Sequence, residues 1–138
     1  SPLVIGVLNG SFIFLADLVR ALNIDIKISF IKARSYQGKQ KTGIIKFDFF
    51  NFDMIKGKDI IIVEDIIDTG STVSEIRNKM INKANSIAIA ALLLKPKKAK
   101  VNFEIDWVGF EIPDEFVVGY GLDYDQKFRN LKGIYQGI

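Results

Sequence analysis

Residues 59–72 read Asp59-Ile60-Ile61-Ile62-Val63-Glu64-Asp65-Ile66-Ile67-Asp68-Thr69-Gly70-Ser71-Thr72, and the reading of the fold turns on them. The run 59–63 is apolar without alternation beyond its first residue, as expected of a strand covered on both faces in a parallel sheet. After the loop, Val73, Ile76, Met80, Ile81 and Ala84 recur at helical spacing, and Thr72 with Glu75 fits a capping box at the helix start. Between strand and helix lies the chemistry. Asp68 to Thr72 combine a glycine that frees the backbone, several hydroxyls and the N–H groups of a helix start, which together cradle an anion and suit a phosphate monoester. The loop has neither the lysine-bearing G-x-x-x-x-G-K-[ST] of a nucleoside-triphosphate site nor the G-x-G-x-x-G of a dinucleotide site. Glu64 and Asp65 add negative charge beside that phosphate, which is unfavourable unless they hold hydroxyls or a metal. A ribose diol with magnesium answers both needs. The plainer alternative makes Thr72 a helix cap and the two acids surface residues at a strand end.

Working outward, residues 3–8 (LVIGVL) are a short apolar run stopped by Asn9-Gly10-Ser11, after which Leu15, Leu18, Val19 and Leu22 follow helical spacing: strand, tight turn, helix. Ile24, Ile26, Ile28 and Phe30 alternate with polar residues up to Ser35, and Ile45, Phe47 and Phe49 alternate again, which predicts two strands joined by a mobile loop over 35–43. Residues 86–94 (SIAIAALLL) predict another buried strand, and 106–112 and 116–120 two shorter ones. Strands alternating with helices indicate an α/β fold with a largely parallel central sheet flanked by helices, whose ligands sit beyond the carboxyl ends of the strands.

Composition limits the chemistry. The 138 residues, 49 % hydrophobic and 25 % charged, suffice for one domain with a single core. The net charge of +3 is a mild bias toward anions that phosphates satisfy as well as nucleic acid does. With no cysteine and no histidine, the chain has no thiolate nucleophile, disulfide, imidazole base or usual zinc ligand, and the metal to expect on carboxylates is magnesium. No apolar run reaches membrane-span length and the start lacks a basic n-region, so the expectation is a cytoplasmic protein without a membrane partner.

The stretch E-D-I-I-D-T-G-S-T resembles the signature for 5-phosphoribosyl pyrophosphate (PRPP) in the hypoxanthine-guanine phosphoribosyltransferase family. V-L-N-G-S-F, S-Y-Q-G-K-Q-K-T-G, L-L-L-K-P, W-V-G-F-E-I-P-D and F-V-V-G-Y-G-L-D-Y resemble further family segments in the family's order, over nearly the whole chain. The resemblance implies a type I phosphoribosyltransferase fold filling residues 1–138 as a single domain. It implies transfer of the phosphoribosyl group to N9 of a 6-oxopurine with release of pyrophosphate, magnesium as cofactor, and a homodimer or homotetramer. By it, Glu64 and Asp65 hold the ribose hydroxyls and, with Asp114, the metal; Asp68, Thr69, Gly70, Ser71 and Thr72 wrap the 5-phosphate; and Asp68 manages the purine proton near N7. Lys95 donates to the oxygen at purine position 6, Trp107 stacks on the base, and the backbone of Val108 reads its edge. Leu8, Asn9, Gly10 and Arg129 meet the pyrophosphate, and Ser35 and Tyr36 open a loop that closes over the centre, with Gly38 and Gly43 lending flexibility.

Without the resemblance, Lys95 reads as one of the solvated lysines Lys95, Lys97, Lys98 and Lys100, Trp107 as core, Asp114 as a turn residue after Pro113, and Arg129 as surface. One departure from the family is Asn9, where a lysine is usual; Gly10 and the turn backbone remain to serve, around a cis peptide that the family carries before its glycine. The amino-terminal part that usually builds a hood over the base is also short here, so a trimmed chain or a reduced hood is expected. Two other functions compete: a regulatory protein of the same fold that binds nucleic acid, and an enzyme for another base such as xanthine. Lys95, Trp107 and Asp114 together argue against the first.

Overall fold

Leu3, Val4, Ile5 and Val7 are all buried, and their strand is the axis of the fold. In the computed structural model, which describes residues 1–35 and 45–137, β1 (Leu3–Leu8) is followed by α1 (Phe12–Ala21), β2 (Lys27–Ser35), β3 (Ile45–Asp48), a 3₁₀ turn (Phe52–Ile55), β4 (Asp59–Ile67), α2 (Ser71–Met80), β5 (Ser86–Leu94) and β6 (Trp107–Glu111). The sheet runs in the order β3-β2-β1-β4-β5-β6, antiparallel between β2 and β3 and parallel elsewhere. This is the mixed α/β, mostly parallel architecture expected. A second sheet pairs the two-residue strands β7 (Val117–Val118) and β8 (Tyr135–Gln136); the sequence reading had one longer strand over 116–120 and none at 135.

The strand period distributes the core. On one face Ile5, Val7, Ile31, Ile60 and Ile62 meet Val73, Ile76 and Met80 of α2; on the other Val4, Val63 and Ala90 meet Leu15 of α1 with Leu18 and Val19. The strand expected from Ile24 begins only at Lys27, and Ile24, Ile28 and Phe30 are exposed while Ile31 is fully buried. A third cluster, Leu92, Leu93 and Leu122 with Ile66, Val117 and Ile134, seats the small sheet against the large one.

The chain leaves β1 for β2 on one side, while β4 joins β1 on the other. The crevice where the order reverses, beyond the carboxyl ends of β1 and β4, is where open α/β sheets take ligands. Two local readings change here. Glu64 and Asp65 lie within β4 rather than after it, because pairing with β5 continues from Glu64↔Ala91 to Ile67↔Leu94. The capping box does not form: Gly70, at φ 90, is the N-cap of α2, and Thr72 sits inside the first turn. A side chain at Gly70 would also strike Val101 from the β5–β6 connection.

Candidate active site

Three clefts join end to end along that crevice. A cleft of about 520 Å³ is lined by Leu8, Asn9, Phe12, Phe30, Gln126 and Arg129. It shares Leu8, Asn9 and Arg129 with a second, of about 290 Å³, whose walls include Gly10, Glu64, Asp65, Thr72 and Asp123. The second shares Glu64, Ile66 and Thr72 with a third, of about 80 Å³, formed by the loop from Asp68 to Thr72. The predicted pyrophosphate, ribose and phosphate residues thus fall into one trough in that order.

At the phosphate end, the reversal at Gly70 turns the N–H groups of α2's first turn toward the loop, and a helix start favours negative charge. Thr69 Oγ1 donates to Ser71 Oγ at 3.3 Å and accepts from Ser71 N at 3.4 Å, which keeps both hydroxyls at the loop surface. Lys100 N donates to Thr69 O at 2.8 Å and Lys95 N to Ile67 O at 3.0 Å, so the β5–β6 connection clamps this loop from outside.

In the middle of the trough the acids are held at a cost. Burial, and then the charge of Asp65 beside it, push the Glu64 carboxyl well above the usual carboxylate range. Burial also raises Asp65, opposed by the Ile66 N–H that donates to Oδ1 at 2.8 Å. Two adjacent carboxylates raised this way call for a cation or hydroxyl donors, so their chemistry fits a magnesium ion held largely by substrate oxygens. Among the described residues no three acidic side chains converge closely enough to hold a metal by themselves. Asp114 is not in that trough, whereas Asp123 lines it and lies 3.5 Å from Arg129. Asp123 is not among the residues expected from sequence; its signal there is its place in the G-Y-G-L-D-Y segment.

At the end of the trough lined by Asn9 and Arg129, Leu8–Asn9 is a cis peptide, the bond before the Asn9-Gly10 pair. Arg129 is fixed there by donating to Gly121 O at 2.6 Å and Gln126 Oε1 at 2.9 Å.

Beyond β5, Lys95 is 7 % exposed, unlike the solvated run its neighbours suggest. Its Nζ donates to Asp114 Oδ1 at 3.1 Å and lies 3.7 Å from Asp68 Oδ2. Lys98 Nζ lies 2.9 Å from Asp68 Oδ1 and 3.7 Å from Asp114 Oδ1. The hydrogen bond from Lys95, with the charge of Lys98, holds the Asp114 carboxyl below the usual range, the state of an acid engaged by ammonium groups. Asp68, Lys95 and Asp114 are therefore together.

Trp107 and Val108 are not with them. They pair with Ala90 and Ala91, and Ala90 precedes Lys95 by five residues, about 16 Å along a strand at roughly 3.3 Å per residue. Trp107 stands 56 % exposed on the edge strand, neither packed in the core nor beside Lys95. The reason is register: a parallel neighbour of β5 that begins at Ala90 carries its first residues to the wrong end of the sheet for the site. Nearer Asp114 in the chain is another aromatic, Phe116, two residues past it and half-exposed, with Tyr124 edge-on to it at 5.9 Å between ring centroids. Ser35 ends β2, paired with Ile45, whereas Tyr36, Gly38 and Gly43 lie outside the described residues.

Comparison with known proteins agrees with this geometry. Residues 1–125 match the phosphoribosyl transferase domain family. The chain is 46 % identical over 130 residues to the hypoxanthine phosphoribosyltransferase of Haemophilus influenzae, covering 93 % of this chain and 73 % of that one. It is 44 % identical over 135 residues to the hypoxanthine-guanine phosphoribosyltransferase of Aquifex aeolicus, covering 96 % and 75 %. Its backbone is similar to the crystal structure of a hypoxanthine-guanine phosphoribosyltransferase from Bacillus anthracis, with a TM-score of 0.87, 43 % identity and coverage of 99 % and 81 %. The Trypanosoma cruzi hypoxanthine phosphoribosyltransferase in complex with the product IMP gives 0.89, 39 %, 99 % and 75 %. With Glu64, Asp65 and the loop from Asp68 to Thr72 lining one trough, and with sequence and backbone shared across nearly its full length, the chain belongs to the hypoxanthine-guanine phosphoribosyltransferase family.

Proposed function

We propose that the chain is a purine salvage enzyme that transfers the 5-phosphoribosyl group of PRPP to N9 of hypoxanthine or guanine, giving IMP or GMP and pyrophosphate. The observation that carries this is the order of the trough: Asn9 and Arg129 at one end, Glu64, Asp65 and Asp123 in the middle, the loop from Asp68 to Thr72 at the other. PRPP has the same order, with pyrophosphate on C1, a diol on C2 and C3, and phosphate on C5.

In this reading the loop amides and hydroxyls take the 5-phosphate, and Arg129 with the Leu8–Gly10 turn takes the pyrophosphate. Asn9 brings no charge to that end, which leaves Arg129 as the cation lining it among the described residues. Glu64 and Asp65 would accept hydrogen bonds from the ribose hydroxyls and, with Asp123 in the place expected for Asp114, would hold magnesium brought with PRPP. When bound, that ion neutralises charge on the leaving pyrophosphate. Lys95 donates to the 6-oxo group, and Phe116 supplies the stacking surface expected of Trp107. As N9 bonds to C1, the C1–O bond to pyrophosphate breaks with its electron pair, and the Asp68 carboxylate accepts the proton shed at N7. The protein positions and neutralises, and no covalent enzyme intermediate is needed.

Residues 1–138 act as a single phosphoribosyltransferase domain in this proposal, with β7 and β8 contributing to the hood, in the cytoplasm and as a homodimer or homotetramer. No helix among the described residues is long and apolar enough to cross a membrane. Exposed Phe12 and Phe30, beside the pyrophosphate end, offer apolar surface for a second copy. Calorimetry of PRPP with millimolar magnesium, followed by pyrophosphate release with hypoxanthine, guanine and xanthine in turn, tests the function. Binding of PRPP with turnover on a 6-oxopurine is expected. Absence of PRPP binding overturns the reading, and turnover on xanthine alone replaces it with the xanthine enzyme.

A further inference from the structure

Four charged side chains close a ring at the carboxyl end of β5. Asp68 Oδ1 lies 2.9 Å from Lys98 Nζ, which lies 3.7 Å from Asp114 Oδ1; that oxygen is 3.1 Å from Lys95 Nζ, which returns to Asp68 Oδ2 at 3.7 Å. Asp68 and Lys95 have tasks at the base in the function proposed above. Lys98 has none there, and in the sequence it reads as one of a solvated run.

The backbone returns it to the site. Lys98 N and Ala99 N both donate to Lys95 O, at 3.1 and 3.0 Å, making a tight turn that sets the two ammonium groups on the same pair of acids. The turn is pinned by Lys100 N on Thr69 O and by Val101 against Gly70, so its position is tied to that of the phosphate loop. The carboxylate oxygens of Asp68 differ in their surroundings. Oδ1 is buried without an aligned hydrogen-bond donor and lies 2.9 Å from the Lys98 ammonium, while the cation near Oδ2 stands 3.7 Å away, too far to occupy it as a hydrogen-bond donor. Buried and beside a cation, Oδ1 is poorly placed to take a proton, which leaves that task to Oδ2. When Lys95 turns to a 6-oxo group it leaves Asp114, and Lys98 already stands near the same Asp114 oxygen.

We propose that Lys98 is a positioning residue for Asp68, holding Oδ1 so that Oδ2 faces the purine, and a standby partner for Asp114 that frees Lys95 for the base. This rests on the phosphoribosyl-transfer reading. A half-exposed ion pair contributes little to folding, so the effect falls on alignment and is seen in turnover.

The test compares kcat and KM for hypoxanthine and PRPP in the parent chain, Lys98→Ala, Lys98→Met, Lys98→Arg and, as an exposed neighbour outside the ring, Lys97→Ala. Lys98→Ala and Lys98→Met should each lower kcat about tenfold, less than the roughly 10²–10⁴-fold of losing a general base outright. KM for PRPP should stay within about twofold, the pattern of a lost transition-state interaction rather than lost binding. Lys98→Arg should restore kcat to within about threefold, since the charge returns with altered geometry. Lys97→Ala should track the parent. Parent-like kcat in Lys98→Met overturns the proposal, because methionine keeps the apolar stem and loses only the charge; so does failure of arginine to rescue. If Lys98→Ala does not fold, the methionine and arginine variants decide. An inactive parent chain removes the underlying function and this proposal with it, which separates that failure from inactivity confined to the variants.

Discussion

Gly10, in the turn after β1, lies against the carboxylate of Asp65 on β4, so closely that a methyl group added at Gly10 would overlap Oδ2 and crowd the carboxyl carbon. The turn after β1 and this acid of the trough are therefore one packed unit. Gly10→Ala must displace either the turn or the Asp65 side chain, at about 1–3 kcal/mol for overpacking of this kind. The expected outcome is a lower urea midpoint together with a KM for PRPP raised at least about tenfold, since 1.4 kcal/mol of lost alignment is a factor of ten. Urea melts and steady-state kinetics on the same preparation check both. A PRPP KM at the parent value shows that the turn and the acid are independent.

Glu64 makes the ligand-free chain less stable as pH rises. Its folded carboxyl titrates well above the ordinary 4.5, so the folded chain binds more protons than the unfolded one between that value and the raised one. Stability from this group is fully present below about pH 4.5 and is lost as pH climbs through the folded value. Asp17, Asp59 and Asp114 are shifted the other way, below 3.8, and their contributions fade only in stronger acid. Glu64→Gln should flatten the loss above pH 4.5 and leave the metal-free chain more stable than the parent at neutral pH, while weakening PRPP binding. Urea midpoints at stepped pH, without magnesium or PRPP, compare the two. Equal pH slopes in parent and variant would falsify the assignment.

What could be read from the sequence divides along physical lines. Buried parallel strands announce themselves, so β1, β4 and β5 and the apolar face of α2 were legible as apolar runs and helical spacing. The phosphate loop was legible because its chemistry is local: hydroxyls, glycine and a helix start are contiguous from Asp68 to Thr72. What failed depends on register and on side chains from distant segments. Trp107 sits five residues too early on its strand because β6 pairs with β5 from Ala90, and nothing local to W-V-G-F-E states that offset. Asp114 and Asp123 are both acids past strand ends, and only the folded trough separates the one beside Lys95 from the one beside Arg129. The ring through Lys98 exists because a turn folds the lysine run back on itself.

Asp68→Asn separates base binding from proton transfer. Asparagine keeps the shape of the loop but cannot accept the purine proton as a carboxylate does. With Lys98 and Lys95 left facing a neutral amide, kcat should fall by roughly 10²–10⁴-fold, the usual worth of a positioned general base. PRPP binding should hold within a few fold, because the 5-phosphate is taken by backbone and hydroxyls. Rapid-quench turnover with calorimetry of PRPP reads the two separately. A kcat near the parent value removes Asp68 from the proton-transfer role.

The stacking aromatic can be decided between two candidates, Trp107 at the start of β6 and Phe116 in the connection between β6 and β7. Phe116 follows Asp114, which holds Lys95 at 3.1 Å, and its exposed ring is braced edge-on by Tyr124. Trp107 stands on the outer edge, paired with Ala90. Base–aromatic stacking contributes about 1–3 kcal/mol by alanine substitution, so removing the stacking ring should raise KM for hypoxanthine by roughly ten- to a hundredfold. That loss is expected for Phe116→Ala, and Trp107→Ala should change KM for the base by no more than about twofold, with PRPP affinity unaltered in both. Because both rings are substantially exposed, neither truncation opens a core cavity, and a change in KM reports on the base and not on the fold. The reverse ranking, with Trp107→Ala the damaging change, would mean that β6 shifts along β5 when the substrate binds, and the Phe116 assignment would fall.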